Sequence, residues 1–114
     1  MPSTSDDRIA LIKSNYQDAL DNEPHDLAAA LTAADVTGVQ ANLATARNAF
    51  YTAAAADLSN SGDAIEDAYK VAQSAQQLVK QARAASEKIA TLLGKLQTAT
   101  EKATSTFFIC LTRR

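Results

Sequence analysis

DAIEDAYKVAQSAQQLVKQARAASEKIATLLGKLQTATEKAT, residues 63–104, holds one glycine, no proline and a run of small and apolar residues with a period of seven. Ile65, Ala68, Ala72, Ala75, Val79, Ala82, Ser86, Ile89, Leu93, Leu96, Thr100 and Ala103 alternate by three and four, the spacing of a helix seam packed on other helices. Beside that seam, Val71, Leu78, Ala85, Leu92 and Ala99 are apolar too, where a two-stranded coiled coil carries charge. Three apolar positions per heptad make a wide buried face, which a three- or four-helix bundle uses up inside one chain. Gly94 falls on the polar side and costs about 1 kcal/mol, so one helix is predicted over 63–104.

Working outward, Ser59-Asn60-Ser61-Gly62 reads as a turn, with Asp63 and Glu66 suited to cap the long helix. Asp6 and Asp7 suit the start of a first helix, after a frayed residue 1–5 segment. Ile9, Ile12, Tyr16, Ala19 and Leu20 share one of its faces. Asn22-Glu23-Pro24 is expected to end it, because proline disfavours helix in the residue before it and suits a first turn. Leu27, Ala30, Leu31 and Ala34 mark a second segment, and Thr37 with Gln40 fits a capping box that restarts a helix after Val36–Gly38. A single helix from Pro24 to Leu58 is the alternative.

The predicted fold is all-α: one domain, an elongated antiparallel bundle of three or four helices with one long C-terminal helix. The predicted helices cover about 6–22, 24–35, 38–58 and 63–104, followed by an apolar tail, 106–114. The alanine-rich composition agrees, since alanine loses no side-chain entropy in a helix. Small seam residues also bury little area each, so long contacts must supply the stability.

Charge is divided along the chain. Residues 1–69 carry eleven acids against three bases, and residues 70–114 carry eight bases against two acids. Two halves folded against each other would complement these signs, while an acidic partner is the other use of such asymmetry. Sparse cations without aromatic platforms argue against nucleic acid. The N-terminus has no basic and apolar leader pattern, and no apolar run approaches the roughly 20 residues a bilayer span needs. These features predict a soluble cytoplasmic protein, with signal-less export as the alternative.

Residues that could carry chemistry are isolated. His25 is the one histidine, and Cys110 the one cysteine, flanked by Arg113 and Arg114 but by no base. Asp57-Leu58-Ser59-Asn60-Ser61-Gly62-Asp63 opens like a calcium loop, but its twelfth position is Ala68 rather than the bidentate glutamate. No phosphate loop, serine elbow or Cys-x-x-Cys occurs, so neither an enzyme, a metal nor a cofactor is expected.

The chain carries no family signature. In composition and length alone it is similar to small bacterial alanine-rich helical proteins such as granule-coating phasins, secretion substrates of the helical-hairpin kind and assembly chaperones. The tryptophan–glycine turn of the hairpin substrates is missing, since the chain has no tryptophan.

The expectation is a non-enzymatic interaction or structural protein that binds a protein partner or itself. Its candidate surface is the basic side of the long helix, Lys80, Arg83, Lys88, Lys95 and Lys102, with the tail residues Phe107, Phe108, Ile109 and Leu111. A lipid- or granule-surface protein, with the tail on a membrane surface, is the alternative.

Overall fold

The structure, a computed structural model, describes residues 3–55, 62–85 and 88–112, the last three by backbone alone. Four helices of similar length follow one another: α1 (Ser5–Ala29), α2 (Ala33–Ala54), α3 (Asp63–Ala84) and α4 (Ile89–Thr112). The molecule is 44 Å long and 25 by 18 Å across.

Each helix start has a local cause. Thr4 caps α1: its hydroxyl accepts from Asp7 N at 3.1 Å while the Asp7 carboxylate accepts from Thr4 N at 2.9 Å. Thr32 caps α2 the same way, accepting from Asp35 N at 3.1 Å, and Asp35 reaches back to Leu31 N at 3.2 Å. The break between the first two helices therefore falls at Ala30–Thr32 rather than at Asn22–Pro24 or Val36–Gly38. Pro24 lies inside α1. Its ring removes one backbone hydrogen bond from the helix, a cost of about 3 kcal/mol in an interior. Arg83 of α3 offsets that cost by gripping Asp18 and Asp26 on either side of the proline, at 3.2 and 2.6 Å. Gly38 lies inside α2 and faces α4, where a Cβ would sit 2.5 Å from Leu93 Cδ2.

The long helix expected over 63–104 is two helices. A continuous helix of that length would run about 60 Å, well beyond the 44 Å of the folded molecule. Instead the seam folds back on itself, so that Ala75, Val79 and Ala82 of α3 share one core cluster with Ile89, Leu92, Leu93 and Leu96 of α4. At the other end Ile65 of α3 meets Ala103 and Phe107 of α4, with Ile12 of α1 and Ala53 of α2. The helix that looked for a matching seam finds it in its own second half.

Contacts along the elements give an up–down–up–down order. Arg8 meets Glu66 and Asp26 meets Arg83, so α1 and α3 run parallel. Helix α4 packs on all three others, whereas α3 packs on α4 and only the edge of α1. That asymmetry splits the apolar column beside the seam. Leu92 and Ala99 are buried on α4, but Val71 and Leu78 of α3 are about half exposed, contrary to the wide buried face expected there.

Of the segment expected to fray, residues 3–5 are held, and residues 1–2 lie outside the described residues. Ser3 N donates to both Glu66 oxygens at 2.9 and 3.0 Å, and Arg8 donates to Ser3 O at 2.8 Å and Glu66 at 3.1 Å. Glu66 is thus spent on this clamp and does not cap α3 with Asp63. Gly62 is the N-cap, at φ +144°, a backbone conformation open to glycine.

Candidate interaction surface

The five cations expected on one helix face are distributed over two helices. Lys80 of α3 is exposed on an open groove of about 750 Å³ between α1 and α3, shared with Lys70, Asp7 and Tyr69. Arg83 is engaged in the fold. Burial alone would lower its pKa, but hydrogen bonds and charges from Asp26 and Asp18 hold it above the ordinary value. Its Nε atom is buried without a hydrogen-bond partner among the described residues. Lys88 is exposed just before α4. Lys95 is half-buried between α3 and α4 beside Leu78 and Gly94, and Lys102 sits 3.8 Å from Glu101. Lys80 and Arg83 belong to α3 while Lys95 and Lys102 belong to the antiparallel α4, so these cations do not form one continuous strip.

Two other carboxyl and phenol groups feel the α1–α3 seam. Hydrogen bonds from the Ser3 hydroxyl and backbone, with Arg8 adding to them, hold the Glu66 carboxylate below its ordinary value. Desolvation raises the Tyr69 phenol, and the negative charges of Asp7 and Glu66 raise it further.

The expected tail is the last two turns of α4, and its residues part company. Phe107 is 4% exposed and closes the core at the end shared with Ile12, Ala53 and Ile65. Phe108 is 56% exposed, with its ring 5.4 Å from that of Phe107. Ile109 is half-buried and packs against the same core cluster. The side chains of Cys110 and Leu111 lie outside the described residues, as do Arg113, Arg114 and most of the calcium-like stretch 57–63. His25 is exposed, 3.6 Å from Asp26.

Phe108 stands over a shallow channel between the parallel helices α2 and α4, which sequence reasoning missed. The channel is two adjoining hollows of about 480 and 260 Å³ that share Thr45, Thr104 and Phe108. Ala41, Asn48 and Thr52 extend its α2 wall, and Gln97, Glu101 and Ser105 its α4 wall. The α2 side chains Ala41, Thr45, Asn48 and Thr52 are short and leave a furrow instead of a ridge. The signal in the sequence is the spacing Ala41, Thr45, Asn48, Thr52, which keeps small residues on one helix stripe.

A second exposed patch joins α1 to α2. Tyr16 stacks on Phe50 at 5.9 Å between ring centres, and Tyr51 meets both rings edge-on or tilted. Desolvation raises the Tyr16 phenol, helped by the Tyr51 hydroxyl.

Among the described residues, no three His, Cys, Asp or Glu side chains come together as a metal site would need. No helix among them is long and apolar enough to cross a membrane. Comparison with protein-family models, curated proteins and solved structures finds no match.

Proposed function

We propose that this chain is a non-enzymatic helical interaction protein, acting through its surface by binding a protein partner or a copy of itself. The observation that supports this is the contrast between adjacent phenylalanines: Phe107 completes the core, while Phe108 spends an aromatic ring on the surface above the α2–α4 channel. Burying a ring of that size on a partner is worth about 2 kcal/mol or more, and an aromatic anchor beside a groove is a common centre of binding energy.

The test places a photo-crosslinking phenylalanine analogue at position 108 in cells of the natural source. Discrete adducts of defined mass are expected from position 108 and not from an analogue at Lys13, an exposed position on α1. Equal or absent adduct formation at the two positions would overturn the reading, and adducts to lipid alone would favour the lipid-surface alternative.

A further inference from the structure

We infer that Tyr16 and Tyr51 form an oxidative coupling site, where hydrogen peroxide and a haem peroxidase join the two phenols into a dityrosine that ties α1 to α2. The inference is independent of the α2–α4 channel. Its ground is the placement of the three tyrosines. Tyr16 and Tyr51 meet across the α1–α2 seam, with ring centres 6.2 Å apart and planes inclined at 66°. Desolvation, with a hydrogen bond between the two hydroxyls, raises the Tyr16 phenol and keeps it protonated. Tyr51 is 58% exposed, so an oxidant in solvent reaches it. Phe50 packs against the core and stacks on Tyr16 at 5.9 Å, which braces that ring. Tyr69, on α3, has no ring partner among the described residues. The chain has no tryptophan, so no indole competes for the oxidising equivalent.

The chemistry balances with no group of the protein beyond the two rings. The exposed Tyr51 phenol gives one electron to the oxidised haem of the peroxidase and its proton to water, leaving a phenoxyl radical. A second one-electron oxidation takes an electron and a proton from Tyr16. The two radicals pair in a carbon–carbon bond between ring positions next to the hydroxyls. Each ring then passes the hydrogen on its newly bonded carbon to oxygen and is a phenol again. Hydrogen peroxide takes up the two electrons and two protons and leaves as two waters. Bond formation draws the ring edges together, and Tyr51, with most of its surface in solvent, is the ring that turns. Placement decides the partner: Tyr16 is held beside a radical on Tyr51, whereas a second chain must arrive by diffusion. The product closes a loop from α1 to α2, and such a cross-link stabilises a fold chiefly by restricting its unfolded chain.

Treating the dilute whole chain with hydrogen peroxide and a catalytic haem peroxidase tests this, read by intact mass under reducing conditions, dityrosine fluorescence and tryptic peptides. The expected product is a single chain lighter by two hydrogens, with peptides 14–47 and 48–70 joined. Tyr16→Phe and Tyr51→Phe should each lose that product, while Tyr69→Phe should keep it. Phenylalanine at 16 preserves the ring that stacks on Phe50, and Tyr51 lies at the surface, so both variants should fold with unchanged helicity. The cross-linked chain should melt at a higher temperature than the untreated one. Joined chains without the lightened single chain would overturn the inference. So would a product that persists in Tyr16→Phe or Tyr51→Phe, a product lost in Tyr69→Phe, or unchanged melting. None of these outcomes bears on position-108 adducts, so failure here leaves the interaction reading standing.

Discussion

The rings of Phe107 and Phe108 lie 5.4 Å apart and inclined at 62°, and the first belongs to the core while the second belongs to the surface. Helix geometry turns consecutive side chains by about 100°, so a helix packed on three neighbours still shows one of the two to solvent. Phe107→Ala is expected to cost about 3–5 kcal/mol, because it empties the junction of Ile12, Ala53 and Ile65. Phe108→Ala is expected to cost less than about 1 kcal/mol. Denaturant titration of both variants measures the difference.

Arg83 holds Asp26, which is 1% exposed, and Asp18 across the α1–α3 seam. Arg83→Met would leave a buried carboxylate without its partner, at a cost of about 3 kcal/mol or more. Adding Asp26→Leu should return most of that loss, since an apolar pair of similar volume needs no charge compensation. A double-mutant cycle by chemical denaturation reads the coupling. The same variants should loosen α1 around Pro24, seen as faster amide exchange from Asp18 to Ala29.

Glu66 sets an acid limb on stability. Its folded value is depressed, chiefly by the Ser3 hydrogen bonds, so its contribution is complete above the ordinary glutamate value. That contribution is lost as pH falls through the depressed folded value. Melting temperatures of wild type and Glu66→Gln should therefore differ near neutral pH and converge in strong acid. Curves that stay parallel across that range would show that the clamp contributes nothing.

Two glycines inside helices should respond differently to alanine. Gly94 faces open space, so Gly94→Ala should stabilise by about 0.5–1 kcal/mol through helix propensity. Gly38→Ala brings the same propensity gain but drives a methyl into the buried Leu93 side chain. Thermal melts should place Gly38→Ala below Gly94→Ala, by an overpacking cost of about 1–3 kcal/mol.

Helix was legible throughout, because a period of seven and an alanine-rich composition are local signals. The breaks were less so. The Thr32–Asp35 pair is a capping pattern in plain sequence, yet Pro24 and Gly38 are the stronger local punctuation. Both lie inside helices for tertiary reasons, the Arg83 grip in one case and the approach to Leu93 in the other. The fold-back between Ala84 and Ile89 had no local signal of its own. A seam complementary to itself satisfies the same heptad pattern as a single long helix. The candidate surface was legible in part: Phe108 lies on it, while Arg83 and Phe107 are taken by the fold. The channel beside Phe108 depends on how α2 and α4 pair, and no single-helix pattern encodes that.

Hydrogen exchange read by mass spectrometry, on the pure chain at rising concentration and on the chain in an extract of its natural source, tests the central claim, that the α2–α4 channel is the working face. Slowing is expected along residues 40–52 of α2 and 97–108 of α4 in one of the two settings, with α3 unchanged around Val71 and Leu78. Slowing centred on α3, or no segment slowing in either setting, would contradict it.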